Sequence, residues 1–455
     1  MKRKDDKESV PNELLERYEQ FLSVGTPGYF DVDELEDLSE FYRIHGLQDK
    51  SSGVLDLGLK LHPDNSSLML RQVALLVDSG RHAKALRVLE TLPEKESLEV
   101  QLLKAEIYLH MKREAAGLGL LRALMHQEAF NRVDLLLDVS GILTRAGKLD
   151  LAKEVLWKAL QEHPDDEDLL EELTYVLEEL KDYLALVQIY DKLLDADPYR
   201  TDTWFNAGQA WFNLERYDKA IEAYDFAWAL SEDDFLPLLQ KGHALFQSEQ
   251  YEKAAQMYET CISHIEPADY IHLLVGEAYE KAGLYEKAIV HFDLVLTMFP
   301  ENIEAYAGLG LCYMELKEFK KSLGYLEKAL LIDDSDAELW VYMAELMLQM
   351  ERKDEAYVSY LRSLSIDPNQ ADVLAVMGNI SYDNGNYDQA LELYRAAQAL
   401  DPELPGLPLF FALAYVKTGQ TQLSKEYLDL ARQKDSRADV LFEEMLGPSD
   451  SNPND

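Results

Sequence analysis

The chain has 455 residues, 47% of them hydrophobic, enough for a continuous core and too many for a wholly disordered polymer. Its 85 acidic against 44 basic residues leave a formal charge of −41. Such a field repels phosphate backbones and anionic membrane surfaces, so neither nucleic acid nor membrane is an expected partner.

Residues 1–10 are basic for four positions and then acidic and polar, with no apolar run behind them, which is not a secretory signal. No stretch anywhere approaches the roughly 18 apolar residues of a membrane helix. The two cysteines, Cys261 and Cys312, lie far apart; Cys261 takes a position held elsewhere by Ala227, Ala329 or Ala397 and reads as a small core residue. No disulfide framework is needed, which suits a reducing compartment, and the cytoplasm is the expected location.

In chain order, residues 1–31 are read as a disordered start plus a lead-in helix, where Leu14, Leu15, Tyr18, Phe21 and Leu22 fall at helical spacing. Gly25, Pro27 and Gly28 break that helix. Three less regular copies of one pattern follow at about 32–65, 66–97 and 98–132. From Val133 the pattern returns at a constant step of 34 residues, in copies of about 133–166, 167–200, 201–234, 235–268, 269–302, 303–336, 337–370, 371–404 and 405–436. Residues 437–446 read as a capping helix and 447–455 as a disordered tail.

Each copy has two short helical patterns and a turn. The eighth position is small at Gly208, Gly242, Gly276, Gly310, Ala344, Gly378 and Ala412. A second small residue follows twelve positions later (Ala220, Ala254, Ala288, Ser322), and a large one four beyond that (Tyr224, Tyr258, Phe292, Leu326). Pro164, Pro198, Pro300, Pro368 and Pro402 recur after the second helical pattern, where proline stops a helix. Small residues at both sites let two helix axes approach to about 8–10 Å. Such a pair cannot hide its apolar faces alone, and stacking the next copy completes the burial.

This skeleton resembles the tetratricopeptide repeat family, over about twelve repeats. The resemblance implies an all-α fold, a right-handed superhelical solenoid of helix-turn-helix repeats. It further implies that first helices line a concave groove in which peptides or a partner's helix lie, through the second, fifth, ninth, twelfth and thirteenth positions of each repeat. Those positions hold Phe205, Gln209 and Phe212 in the sixth repeat, Leu239, His243 and Phe246 in the seventh, and Tyr270, Leu273 and Glu277 in the eighth. An apolar floor is thus expected mid-chain. Asp168, Glu171 and Tyr175 on one side, and Glu304, Glu338 and Glu345 on the other, form an acidic rim suited to steering a basic or amphipathic partner. Aromatics at these positions also serve as filler between helices, and an acidic rim is also what a solvated face looks like.

Chaperone-binding members of the family clamp a carboxylate with Lys, Asn and Arg. Here no fifth position carries Lys or Arg, and Asn379 is preceded by Ala375 where the Lys belongs. The clamp is absent. Catalysis is not expected either: ten His are scattered, the glycines follow repeat packing rather than a phosphate loop, and the acid runs near Asp31–Asp37 and Asp165–Asp168 lack the spacing of a Ca²⁺ loop. No cofactor and no metal are expected. The reading is a non-enzymatic adaptor or scaffold binding a protein or peptide segment in the groove. Its alternatives are a scaffold that self-associates through end repeats or the convex face as a homo-oligomer, and an accessory subunit of an enzyme complex.

Overall fold

A computed structural model describes residues 12–24, 29–126, 132–164, 166–231 and 233–446. The charged start, the Gly25–Gly28 break, Asp165, Glu232 and the tail from Gly447 lie outside the described residues. Among those described there is no strand, and the chain divides into two compact units, residues 1–196 and 197–455.

The first unit opens with α1 (Asn12–Val24), which packs on α2. Five antiparallel pairs follow: α2 (Val32–Ile44) with α3 (Gln48–Leu61), α4 (Ser66–Asp78) with α5 (His82–Leu89), α6 (Leu98–His110) with α7 (Glu114–Met125), α8 (Arg132–Arg145) with α9 (Leu149–Glu162), and α10 (Glu167–Leu180) with α11 (Tyr183–Ala196). The second unit holds seven pairs: α12 (Thr201–Asn213) with α13 (Tyr217–Leu230), α14 (Leu236–Gln247) with α15 (Tyr251–Cys261), α16 (Asp269–Lys281) with α17 (Tyr285–Met298), α18 (Ile303–Glu315) with α19 (Phe319–Ile332), α20 (Ala337–Gln349) with α21 (Lys353–Ile366), α22 (Ala371–Asp383) with α23 (Tyr387–Leu400), and α24 (Leu407–Lys417) with α25 (Thr421–Lys434). The short α26 (Ala438–Leu446) packs on α24 and α25. Within each unit, helices contact the pairs next to them in sequence, so the fold is an all-α solenoid of helix-turn-helix repeats.

Local chemistry sets the ends of these helices. Asp31, Asn65, Asp166 and Asn302 each accept a hydrogen bond from the backbone N–H three residues on, satisfying a donor that the first turn leaves open. Every first helix ends in a residue of left-handed conformation: Gly46, Gly80, Lys112, Gly147, Lys181, Glu215, Glu249, Gly283, Lys317, Glu351, Gly385 and Gly419, with φ between 54° and 78°. After α12, Glu215 N–H donates to Phe212 O and Arg216 N–H to Trp211 O, both at 2.9 Å, the paired bonds that turn a chain out of a helix.

The small sites hold the pairs together. A Cβ on Gly208 would stand 2.5 Å from the Tyr224 ring, and one on Gly310 would stand 2.6 Å from Leu326. Ser322 Oγ donates to Gly310 O at 2.7 Å, and Ser424 and Ser51 repeat that bond to Ala412 and Ser39 at 2.9 Å. Tyr224, Tyr258, Phe292, Leu326 and Tyr394 fill the centre of their pairs. Cys261 and Cys312 are free thiols, fully buried; burial raises both, Cys312 to about 12. After α15 the chain makes a single 3₁₀ turn, Ile262–His264, and between α19 and α20 Asp333 accepts from both the N–H and the hydroxyl of Ser335.

Candidate partner-binding face

In the second unit the floor aromatics each turn one face to the second helix of their own pair. Phe205 packs against Tyr224 with ring centroids 5.8 Å apart, Phe212 meets Tyr217 edge-on at 5.4 Å, and Phe246 meets Tyr251 at 5.2 Å. All three are half-buried, as are Gln209 and Leu273. Leu239, at 9% exposure, belongs to the core. The hydrogen bond of His243 goes to Tyr258, Nδ1 to hydroxyl at 2.9 Å, and burial lowers its pKa. Large apolar side chains that stay open on these helices are Tyr270 and its neighbour one repeat back, Leu236, at 52% and 44% exposure.

The carboxylates of the same face are crowded. Burial raises the pKa of Glu277, with Glu280 and Glu304 adding repulsion. Glu280 is raised by burial, against the pull of Lys281, whose Nζ lies 3.5 Å away. Glu345 has exposed area yet sits among close neighbours, and is raised by desolvation and by Asp372 and Glu315. Glu338 accepts a hydrogen bond from Tyr342, and Glu304 is exposed. These groups stand on α16, α18, α20 and α22, consecutive first helices of one unit.

In the first unit, Asp168, Glu171 and Tyr175 are all exposed on α10. The same unit carries a feature that the sequence reading passed over, a cleft of about 850 Å³ across α4, α6, α8 and α10. Leu70 and Leu102 contribute apolar wall, and Arg71, Glu106, Arg145 and Glu172 contribute charge. Arg145 binds Glu106 at 2.7 Å, while Arg71 pairs with Glu36 at 3.2 Å and Glu40 at 3.5 Å. Glu106 and Arg145 occupy the ninth and thirteenth positions of their repeats. The rule applied to the middle repeats, extended to the third and fourth, would have found them.

Residues 201–231 match the tetratricopeptide repeat family itself, on the very helix pair where Gly208, Ala220 and Tyr224 set the joint. The chain is a tetratricopeptide repeat protein. Residues 237–440 match the C-terminal domain of cilia and flagella-associated protein 70. Among solved structures, the chain is similar to the Cut9–Hcn1 hetero-tetramer of the APC/C (14% identity, 88% of this chain, 92% of that one, TM-score 0.39). It is also similar to a tetratricopeptide repeat protein of Parabacteroides merdae (18% identity, 55% and 98%, TM-score 0.39) and to MamA protein (22% identity, 38% and 94%, TM-score 0.34). Among curated proteins nothing matches. Tetratricopeptide repeats as a fold serve protein–protein contact and are typically non-catalytic. Among the described residues no three His, Cys, Asp or Glu side chains converge as a metal site, and no helix is long and apolar enough to cross a membrane.

Proposed function

We propose that this chain is a non-enzymatic interaction protein that receives a basic, amphipathic segment of another protein along the first-helix face of its second unit. The observation that carries the reading is the row formed by Glu277, Glu280, Glu304, Glu315, Glu345 and Asp372, three of which are held above the ordinary carboxylate range. Carboxylates that repel one another in partly desolvated positions gain most from arriving lysines and arginines, because the cations relieve a cost already present. Leu236 and Tyr270 offer exposed apolar surface on α14 and α16, and Phe205, Phe212 and Phe246 offer their remaining faces. The match of residues 237–440 to a cilia and flagella-associated domain supports a ciliary setting for the search for that partner, rather than the cytoplasm at large.

The test uses a lysine- and leucine-rich amphipathic peptide and a twin with glutamate in place of lysine, titrated at two salt concentrations. The basic peptide is expected to bind, to weaken with salt, and to lose about tenfold in affinity to a Glu277→Gln, Glu304→Gln, Glu345→Gln variant. Equal binding of both peptides, or unchanged affinity in the variant, refutes the reading.

A second reading, self-association, draws on the second-helix face of the same unit, where Val290, Leu294, Leu331, Val358 and Leu361 of α17, α19 and α21 are exposed. Sedimentation across a range of protein concentrations decides it: a mass that stays constant rules it out.

A further inference from the structure

The step from the third repeat to the fourth departs from the regular 34 residues. A cavity of about 250 Å³ lies among α7, α8 and α9, within the first unit. Leu121, Leu136, Val139 and Val155 line it, the first three of them buried. α7 contributes Leu118, Leu121, Arg122 and Met125 to the lining.

Two cations stand at the rim, Arg122 from α7 and Lys158 from α9. Neither forms an ion pair among the described residues, whereas nearby Lys148 and Lys153 are paired with Glu114 and Asp182. Glu154 and Glu162, one turn to either side of Lys158, and His126 line the same space. In a chain of charge −41, two cations without a recorded ion pair stand out beside the Leu and Val wall, even with two carboxylates close by.

We propose that this cavity binds a free medium-chain fatty acid, its chain against Leu121, Leu136, Val139 and Val155 and its carboxylate between Arg122 and Lys158. The volume fits: apolar cavities of about 150 Å³ stay dry and hold benzene, so 250 Å³ admits an acyl chain of about eight to ten carbons. An apolar wall with a few placed polar groups is the usual build of a small-molecule site. The guanidinium of Arg122 adds the flat, two-donor geometry that carboxylates accept. The site lies between successive repeats and is independent of the groove proposed above.

The experiment titrates the full chain, by calorimetry below micellar concentrations, with decanoate, decanol and decyltrimethylammonium. The long-range field of the chain favours the cation, so a preference for decanoate can come only from a local site. Decanoate is expected to saturate one site at least about tenfold more tightly than either of the others. Arg122→Glu with Lys158→Glu, both exposed positions, is expected to abolish that preference while circular dichroism stays unchanged. Val155→Phe is expected to abolish binding of decanoate and decanol together. Absence of saturation, equal binding of the cation, or a preference that survives the charge reversal overturns the proposal.

Discussion

Arg145 Nε donates to Glu106 Oε1 over 2.7 Å, joining α8 to α6 across 39 residues of sequence. The Glu106 side chain is 7% exposed and that of Arg145 59%, so the carboxylate depends on the arginine far more than the reverse. Arg145→Met leaves a buried acceptor unpaired, at an expected cost of about 1–3 kcal/mol. Adding Glu106→Gln should recover part of the loss. Urea midpoints, with amide exchange on α6 and α8, measure both.

Two tyrosines at equivalent positions should answer the same substitution differently. Tyr258 bonds to His243, whereas the buried Tyr224 hydroxyl finds no partner among the described residues. Tyr258→Phe is expected to cost about 1 kcal/mol and Tyr224→Phe nothing or less than nothing. Equal losses in thermal melts would contradict the pairing.

Glycines inside the helices separate into two kinds. A methyl at Gly208 would press into Tyr224, so Gly208→Ala should destabilise by about 1–3 kcal/mol. Gly324, in the middle of α19, has nothing within 4 Å of an added Cβ, and Gly324→Ala should stabilise by up to about 1 kcal/mol. The sign of the shift in denaturant midpoint checks each.

Acid should loosen the joint between α16 and α17. His272 and His291 meet Nδ1 to Nδ1 at 2.9 Å, which needs one donor and one acceptor. Burial lowers both, and for His291 the neighbouring His272 adds to the effect against the opposing pull of Glu259. Below about pH 6.5 the unfolded rings therefore take up protons that the folded rings refuse, and stability falls. Glu277, Glu280 and Glu345 act in the opposite sense. Their raised values let the folded state hold protons first, so they favour folding as pH falls toward 4.5 and oppose it above. His272→Gln with His291→Gln should flatten part of the fall in melting temperature between about pH 6.5 and 5.

The turns offer the clearest gain. Glu215 adopts φ 58° where Gly283 adopts 72° at the same place in its repeat. A side chain in that region carries a cost, so Glu215→Gly should stabilise by about 0.5–1 kcal/mol and Gly283→Glu should do the reverse. Chemical melts of the two variants decide it.

Much of this was legible in residue order, because repetition lets weak signals add. Gly208, Ala220 and Tyr224 mean little alone, and their return at every 34 residues specifies a joint. The buried Cys261 followed from what other repeats hold at its place. What stayed hidden depends on which way side chains turn. Phe205, Phe212 and Phe246 sit at lining positions, yet each lays a face on its own second helix, a rotamer choice that spacing does not encode. The pairing of Arg145 with Glu106, and of His272 with His291, joins different helices and has no local signature. The left-handed Glu215 was hidden because its residue type argues against that conformation.

The stacking of each pair on its sequence neighbours has a mechanical consequence. Within the second unit, load applied along the chain reaches each joint in turn, so pulling should release repeats one after another. Each of the 34-residue repeats frees at most about 110–120 Å of contour. The unit would then behave as a stepped, refolding spring, yielding length at modest force while its remaining joints stay closed.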